Sequence, residues 1–359
     1  MPRFLLTAAA LGLAAVSADP MMSYPEFCTK FSKSASASAA SIYKENLEII
    51  EKHNGRFAEG LSSYKMGYNH LTDERSGPLG RAAPSAAQAE RLAMPRLHKS
   101  AVKVADLPDS VDWRDSGVVT AVKNQGQCGS CWAFATTATV ESHIALETGL
   151  LFDLSPQQLV SCAPNDDHCG GFGGCMGSIP EVAYDYLIGA GGYAEEWSLP
   201  YISYFGTTNG TCPDSPSLKA GISDYVKIEE NNAADVMEAL ATVGPLAINV
   251  DASNWHTYES GIFDSCSYES MDLDHVVVLV GYGTDEELGD YWLVRNSWSP
   301  TFGEAGYIRL KRDPVDATPC GVDETPQDGT GCEGDATQYP CGQCGVVFDV
   351  SYPTGAFVV

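Results

Sequence analysis

Hydrophobic and polar positions divide the chain into a helical part followed by a part made of short strands. The segment from Cys131 to about Glu147 predicts a helix, because Ser130 can cap its start and Gly149 can end it. Its apolar contacts are predicted to come from Phe134, Val140, Ile144 and Leu146. Residues 155–160, which open with serine and proline, predict a second, short helix. Beyond about residue 221, apolar runs predict strands over residues 246–250, 276–280, 291–295 and 307–310.

The N-terminus has the pattern of a secretory signal peptide. An apolar core from Phe4 to Val16 follows the positive charge of Arg3, and small residues over 16–18 offer a cleavage site. We therefore assign residues 1–18 to the signal. The core is too short to cross a bilayer, and no later stretch reaches eighteen apolar residues. The mature protein is expected to be soluble, without a membrane span.

Charge is distributed unevenly along the 359 residues, whose net charge is −26. Residues 107–359 hold 8 Lys and Arg against 37 Asp and Glu, whereas residues 1–106 hold 13 against 10. So acidic a chain argues against nucleic acid as a partner. A basic N-terminal segment would be attracted to the acidic remainder, and protonation of carboxylates near about pH 4–5 would weaken the attraction. Alternatively, the acidity serves only solubility.

A cysteine at the predicted start of the first helix is the strongest chemical signal in the chain. Cys131 would lie at the positive end of the helix dipole, which favours its thiolate form. Gln125, six residues earlier, can donate an N–H to a developing oxyanion. A nucleophilic cysteine also needs a histidine and a polar group that orients it. Among seven histidines, His275 differs because it begins a buried strand pattern, and Asn296 ends the next one.

Three motifs around these residues resemble the papain-like cysteine peptidases of the cathepsin type. They are Cys-Gly-Ser-Cys-Trp at 128–132, Asp-His followed by an apolar run and Gly-Tyr-Gly over 274–283, and Asn-Ser-Trp at 296–298. The resemblance implies an α+β fold of two lobes, one helical and one β-barrel-like, with the active site in the cleft between them. It also implies a cysteine endopeptidase that is made as a secretory zymogen and hydrolyses peptide and protein substrates.

The resemblance gives each candidate residue a role. Cys131 would attack the peptide carbonyl as a thiolate, His275 would exchange the proton, and Asn296 would orient the histidine ring. Gln125 would stabilise the oxyanion, and Trp298 would keep water off the bond between histidine and asparagine. The reaction would pass through an acyl-enzyme and would need no cofactor and no metal ion.

Two features depart from the family pattern. Ser299 and Phe302 stand where the family usually has glycine and tryptophan. Asn296 lies 165 residues beyond Cys131, further than the usual separation of about 130–150 residues, and the acidic loop 284–290 can absorb part of the excess. Other interpretations stay open: a zinc site or a dithiol redox pair built from the two Cys-x-x-Cys motifs, or a non-catalytic relative that binds or stores.

The segment before residue 107 resembles an inhibitory propeptide, although its motifs are degraded. Asn46, Ile50 and Asn54 keep part of the family's helical signature. We assign residues 19–106 to the propeptide and 107–359 to the peptidase domain, which would be held inactive by its own propeptide and activated by acid. The alternative for the segment is an amphipathic helix within a linker. The expected enzyme is a monomer of the secretory pathway, in the lysosomal or endolysosomal lumen or outside the cell.

Cysteine pairing follows from the same resemblance. Cys28 would be lost with the propeptide and Cys131 would stay free, so ten of the twelve cysteines remain. This even number fits five disulfides in an oxidising compartment. The resemblance implies three pairs, namely Cys128–Cys175, Cys162–Cys212 and Cys266–Cys344. The pairing of the other four cysteines is open; they are Cys169, Cys320, Cys332 and Cys341.

Residues of a substrate pocket are carried over by position. The pocket for the second residue before the scissile bond would be lined by Gly177, Ser178, Ile179, Pro180 and Leu273, with Trp298 nearby and Asp349 at the floor. In the family an acid at that floor goes with tolerance for arginine as well as leucine or phenylalanine; alternatively, Asp349 points outward into solvent. No histidine-rich occluding loop is present, which favours endopeptidase activity. Asn209 begins a possible N-glycosylation site.

Overall fold

The computed structural model describes residues 22–75, 96–98, 102–332 and 334–359. The signal peptide proposed for residues 1–18 and most of the connection before the peptidase domain lie outside these residues. No helix in the described ranges is long and apolar enough to cross a membrane.

Six α-helices form in the described residues, two before the peptidase domain and four within it. They are α1 (Tyr24–Lys30), α2 (Ala37–Ala58), α3 (Cys131–Thr148), α4 (Pro156–Cys162), α5 (Pro180–Ala190) and α6 (Ala233–Thr242). The two helices predicted around Cys131 and Ser155 correspond to α3 and α4. Gly149 ends α3 in the left-handed conformation that glycine adopts without strain, with φ +75°.

Thirteen strands of the described residues form a large sheet and a small one. They are β1 (Tyr64–Met66), β2 (Arg96–Leu97), β3 (Val111–Asp112), β4 (Tyr193–Ala194), β5 (Leu218–Gly221), β6 (Asp224–Lys227), β7 (Leu246–Val250), β8 (Tyr258–Phe263), β9 (His275–Asp285), β10 (Gly289–Arg295), β11 (Tyr307–Lys311), β12 (Val350–Thr354) and β13 (Phe357–Val358). The large sheet has the order β1-β8-β11-β10-β9-β7-β12-β6-β2, with β3 paired to β9. The small sheet has the order β13-β5-β4. All four strand runs predicted from the sequence lie in β7, β9, β10 and β11.

Strand β9 is buried on both faces and therefore separates two hydrophobic cores. Val276 and Val278 point to the core that contains Trp132 of α3. Val277 and Leu279 alternate to the opposite face and join the core of the large sheet. A strand covered on both sides needs apolar residues at every position, which explains its continuous apolar run. We call the part built on α3–α5 the helical lobe and the part built on β6–β12 the β lobe.

Helix α3 lies between the two lobes and is buried on nearly all sides. An amphipathic helix would be buried on one side and exposed on the other. Residues 131–145 are all buried, including Glu141, whereas Leu146 is 38% exposed and is not the core contact that we expected. The side chain of Ser130 does not cap the helix either, because its hydroxyl bonds the Tyr201 hydroxyl at 2.8 Å. These two details of the sequence-based helix were wrong.

Most polar residues on α3 are tolerated in the core because they find a hydrogen-bond partner; the buried Thr136 hydroxyl is the exception on this helix. Thr137, Thr139 and Ser142 donate to the carbonyl four residues earlier, at 2.6, 2.8 and 3.0 Å. The Glu141 carboxylate accepts from Lys123 Nζ at 2.8 Å and from the Leu154 N–H at 2.8 Å. A helix can therefore be enclosed without a purely apolar surface, since buried polar groups that are hydrogen-bonded cost little.

The residues before the peptidase domain form a small unit that docks on the β lobe. Helix α2 is joined to the following loop by Asn46, whose Nδ2 donates to the Thr72 carbonyl at 2.8 Å. Asn54 exchanges two hydrogen bonds with the Met66 backbone at 2.7 and 2.9 Å. Strand β1 pairs with β8 of the β lobe in antiparallel register. The residues retained from the family's helical signature therefore hold β1 in position for docking.

His143 of α3 gives the protein a stability that depends on pH. Its Nε2 donates to the Pro245 carbonyl of the β lobe at 2.9 Å, and its ring stacks on Tyr352 at 6.0 Å. Burial lowers the pKa of His143 to about 4, and the bond to Pro245 only partly opposes this. As pH falls from about 6.5 to about 4, the unfolded chain binds a proton that the folded chain refuses, so stability decreases over that interval.

We predict that His143→Gln, which keeps a donor but cannot be protonated, removes this part of the acid sensitivity. The free energy of unfolding should differ little from that of the parent at pH 7.5 and should exceed it by up to about 3 kcal/mol near pH 4. Denaturant titrations from pH 7.5 to 4 would measure this in the full chain carrying Cys131→Ala, which prevents self-cleavage. Parallel stability curves for the two proteins over the whole range would contradict the assignment.

Candidate active site

Cys131 occupies the first position of α3 and is 4% exposed. The loop before it is fixed by the Cys128–Cys175 disulfide and by two backbone bonds of Gly129, one from its N–H to Cys175 at 2.9 Å and one to its carbonyl from Gly177 at 3.1 Å. Ten of the twelve cysteines form disulfides, and the free thiols are Cys131 and Cys28. After loss of Cys28 with the propeptide, Cys131 would be the single thiol of the enzyme.

Gln125 is held between the two lobes in one orientation. Its Oε1 accepts from the Ser297 hydroxyl at 2.6 Å, which leaves its Nε2 to donate to the Cys128 carbonyl at 3.0 Å. Its backbone N–H also donates to the Ser297 carbonyl at 2.9 Å. Because the Cys128 carbonyl can only accept, the amide nitrogen must face the turn before Cys131, and the Ser297 hydroxyl then donates to the amide oxygen.

His275 and Asn296 come together at the edge of two paired strands. His275 begins β9, and Asn296 directly follows β10, its antiparallel neighbour. His275 Nε2 donates to Asn296 Oδ1 at 2.8 Å, and the same oxygen accepts from the Ser297 N–H at 2.8 Å. Both side chains are buried. The amide oxygen can only accept, so the histidine carries its proton on Nε2 when it is neutral.

Trp298 covers the histidine ring. Its ring stacks on His275 with centroids 4.7 Å apart and planes 29° from parallel, and it is 7% exposed. Phe302 packs edge-on against Trp298 at 5.4 Å and is fully buried. The phenylalanine that stands in place of the family's tryptophan therefore supports the cover from behind.

Ser299 keeps the backbone conformation of the glycine that it replaces. Its φ is +71°, in the left-handed region that favours glycine. Its hydroxyl contacts the Thr301 hydroxyl at 3.2 Å. The turn after Trp298 is therefore preserved, at the cost of local strain on the order of 1–2 kcal/mol.

A continuous path of hydrogen bonds joins three of the four predicted catalytic residues, Gln125, Asn296 and His275, and ends at the turn before Cys131. It runs from the carbonyl of Cys128, three residues before Cys131, through Gln125 and Ser297 to Asn296 and then His275. The path crosses from the helical lobe to the β lobe. Ser297 was not among the predicted site residues, although the conspicuous Asn-Ser-Trp motif contains it.

The residues predicted to line the substrate pocket are buried. Gly177 to Pro180 are all buried, Leu273 is fully buried, and Ile179 is 3% exposed. Ile179 packs with the Cys169–Cys332 disulfide, and Leu273 packs with Met271 and Phe348. The Ser178 hydroxyl is buried without a hydrogen-bond partner in the described part of the chain. Their shared role in substrate binding remains a prediction.

Asp349 is buried in a cluster of charges and does not point into solvent. It is 5% exposed, and its carboxylate is 2.5 Å from Lys227 Nζ and accepts from Asn249 Nδ2 at 2.8 Å. Lys227 also lies 3.1 Å from the buried carboxylate of Glu181. Burial alone would lower the pKa of Lys227, but Asp349 and Glu181 outweigh it and raise it. Burial raises the pKa of Glu181 against the effect of Lys227.

The outward-pointing alternative for Asp349 is therefore wrong. Its partner Lys227 lies on β6, 122 residues earlier in the chain, and was missed because no local motif connects the two positions. Lysine is rare in this acidic part of the chain, so the presence of Lys227 in a strand-forming segment was the one available signal of a buried charge pair.

Five disulfides are present. Three join the pairs that the resemblance implies, Cys128–Cys175, Cys162–Cys212 and Cys266–Cys344. The other two, whose pairing the sequence left open, join Cys169 to Cys332 and Cys320 to Cys341.

Comparison with protein families agrees with this geometry. Residues 107–330 match the papain family cysteine protease, and residues 26–76 match the cathepsin propeptide inhibitor domain (I29). The chain is 37% identical over 279 residues to procathepsin L of Mus musculus, covering 76% of this chain and 80% of the relative. It is 36% identical over 305 residues to cathepsin L of Sarcophaga peregrina, covering 78% and 83%.

Solved structures of proenzymes have the same arrangement. A recombinant stem bromelain precursor superposes with a TM-score of 0.72 at 31% identity, covering 92% of this chain and 97% of that chain. Digestive procathepsin L 3 of Tenebrio molitor also gives a TM-score of 0.72, at 28% identity and with the same coverage. The chain therefore belongs to the papain family, as a cathepsin L-like cysteine protease that carries its propeptide.

Proposed function

We propose that Cys131 is the nucleophile of this protease and that His275 is its acid and base. The observation that carries the proposal is the 2.8 Å bond from His275 Nε2 to Asn296 Oδ1. Because that bond occupies Nε2, Nδ1 is the ring nitrogen through which the histidine exchanges a proton with a thiol. Cys131, at the start of the neighbouring helix, is the thiol that the cleft between the lobes offers.

The reaction follows from these positions. His275 takes the thiol proton, and the Cys131 sulfur forms a bond to the scissile carbonyl carbon, whose oxygen becomes negative. The protonated histidine then gives its proton to the leaving amine as the C–N bond breaks, which leaves an acyl-enzyme. Water, deprotonated by the same histidine, attacks the thioester, and the acid product leaves while the thiol is restored.

Gln125 would stabilise the oxyanion together with the backbone N–H of Cys131. An amide NH₂ group has two hydrogens, so Nε2 can keep its bond to the Cys128 carbonyl and offer the second hydrogen to substrate. A flipped amide would set Oε1 against the acceptor-only Cys128 carbonyl, so Nε2 stays on that side and Oε1 keeps its bond from the Ser297 hydroxyl. The donor is therefore oriented before substrate arrives, which is the condition for strong electrostatic stabilisation.

The docked unit before the peptidase domain would act as the enzyme's own inhibitor. Asn69 Nδ2 donates to the His256 carbonyl at 2.8 Å, and the His256 ring packs on Trp298 at 4.8 Å, so the unit reaches the cover of the active site. Lys33 holds Glu74 at 2.7 Å and also contacts Asp73. These ion pairs tie the segment between α1 and α2 to the segment after β1, within the docked unit.

The pocket at Asp349 would prefer apolar side chains over arginine. Lys227 and Asn249 already satisfy the Asp349 carboxylate, and the proposed walls, Ile179 and Leu273, are apolar. A cationic side chain would have to displace a buried ammonium to gain its charge partner. The acid at the floor is therefore structural in this chain.

The compartment and one further modification belong to the same proposal. Five disulfides fit an oxidising compartment, and we propose the endolysosomal lumen or the extracellular space. Asn209 is exposed, with its Oδ1 accepting from the Cys175 N–H at 2.9 Å, and glycosylation there remains a prediction, as does the monomeric state.

Replacing the nucleophile tests the catalytic assignment. Cys131→Ala should lower turnover of a peptide substrate by at least about 10⁴-fold with an unchanged fold, because no other residue supplies the sulfur. The measurement is mass and peptidase activity of the parent and variant proenzymes brought from pH 7 to about pH 4.5.

The parent should lose its propeptide and gain activity that iodoacetamide abolishes, whereas the variant should stay intact and silent. If both stay intact, a trace of an unrelated protease should activate only the parent. Peptide cleavage by processed Cys131→Ala at the parent's rate would contradict the assignment.

Changes to Lys227 and Asp349 test the pocket. Asp349→Asn should leave the ratio of kcat/KM for arginine and leucine substrates unchanged, since the carboxylate does not serve substrate. Lys227→Met should raise that ratio by about tenfold, because it releases the carboxylate.

Removal of Lys227 leaves two buried carboxylates and can cost about 3–5 kcal/mol of stability. A Lys227→Met/Glu181→Gln double variant, which removes one of them, provides a better-folded second test. A selective loss of arginine turnover in Asp349→Asn would show that substrate uses this carboxylate after all.

A further inference from the structure

A hairpin inserted after β11 rises from the β lobe and reaches the helical lobe. We define the inserted hairpin as Cys320–Cys341, whose ends are joined by a disulfide. Its arms pair in antiparallel fashion at Asp323 and Gln338, through two backbone bonds of 2.9 Å. The hairpin is therefore a closed, internally bonded unit.

The tip of the inserted hairpin is fastened to the helical lobe. Cys332 forms a disulfide with Cys169, and the Gly170 N–H donates to the Gly331 carbonyl at 2.9 Å. Gly170 has φ +60°, and a Cβ there would lie 2.4 Å from the Gly329 carbonyl oxygen, so the two backbones touch directly. Of the five disulfides, Cys169–Cys332 is the one that joins the two lobes.

The arms of the inserted hairpin are fastened to the segment before His275. The Met271 N–H donates to the Val322 carbonyl at 2.9 Å. The Leu273 N–H donates to the carboxylate of Asp323 at 3.3 Å, and Asp323 is 1% exposed. This attachment belongs to the β lobe, two residues from the catalytic histidine.

These two attachments coincide with the two proposed walls of the substrate pocket. On one side, Ile179 lies in the same buried cluster as Cys169 and Cys332. On the other, Leu273 is held through its backbone by Asp323. The inserted hairpin thus spans from one wall to the other, with a covalent bond at one end.

We propose that the inserted hairpin is a specificity-determining clasp that sets the width of the pocket for the second residue before the scissile bond. The inference rests on the proposed function, which assigns Ile179 and Leu273 to that pocket. Because the clasp prevents the walls from moving apart, the pocket selects among apolar side chains by size. A wall that cannot shift rejects a side chain that is too large. This lowers kcat/KM for that substrate by about 10–200-fold for each group that does not fit.

Opening the clasp tests the proposal. The pair of substrates differs only in valine or phenylalanine at the second position before the cut. In Cys169→Ser/Cys332→Ser, the valine-to-phenylalanine ratio of kcat/KM should fall by about tenfold or more, because the freed wall admits the larger ring. Asp323→Ala, which releases the other attachment, should shift the ratio in the same direction and keeps the test available if the double variant folds poorly.

A matched control separates pocket width from loss of a disulfide. Cys162→Ser/Cys212→Ser removes a disulfide that lies within the helical lobe, and its ratio should equal that of the parent. Iodoacetamide titration of Cys131 gives the active concentration of each protein. A substrate that has one N-terminally blocked residue before the scissile bond has no side chain for this pocket. All the variants and the parent should therefore hydrolyse it with the same kcat/KM.

An unchanged ratio in both the Cys169→Ser/Cys332→Ser and Asp323→Ala proteins, at full active concentration, would overturn the clasp. A shift in the Cys162→Ser/Cys212→Ser control as large as in the clasp variant would overturn it as well. If no protein shows turnover that iodoacetamide abolishes, the catalytic assignment fails instead, and that result is distinguishable from the other two.

Discussion

The enclosure of α3 between the two lobes is the constraint on which the rest of the structure depends. One side of the helix packs on other helices, and another packs on the inward face of β9. Cys131, at the start of the helix, and Val276, next to His275 in β9, belong to the same buried core. Thr137, Thr139 and Glu141 can line such a helix because each is hydrogen-bonded within it or to a neighbour. The proposed nucleophile and the proposed base therefore come from different lobes, beside the core that α3 shares with β9.

Polar contacts across the cleft give this meeting its precision. Ser297 bonds both Gln125 and Asn296, so one residue aligns the proposed oxyanion donor and the proposed orienter of the histidine. The substitutions around the motif preserve this geometry, since Phe302 still buries Trp298 and Ser299 still turns with a positive φ. The residues at 299 and 302 therefore differ from the family pattern, but the turn after Trp298 and the burial of its ring are retained.

Sequence reasoning succeeded where chemistry is local and failed where it depends on distant contacts. The helix at Cys131, the strand at His275 and the motif at Asn296 are contiguous patterns, and the structure places each as expected. The Lys227 partner of Asp349 and the Cys169–Cys332 bond join positions more than 100 residues apart. No periodicity encodes such pairs, because they depend on how the lobes and the inserted hairpin pack. The full burial of α3 was not predicted either, because only four of its apolar side chains were expected to make core contacts and its polar residues carry no local signal of burial.

The central claim is that Cys131 is the single free thiol of the enzyme and forms the covalent bond to substrate. The most direct test is to mix activated enzyme with an ester substrate, quench in acid within the first turnover, and locate the acyl group by peptide mass mapping. The account predicts one acyl group per molecule, on the peptide that contains Cys131, and none in His275→Ala. An acyl group on another residue would contradict this claim. So would a full burst of the first product, one per enzyme molecule, from which no acyl group can be trapped.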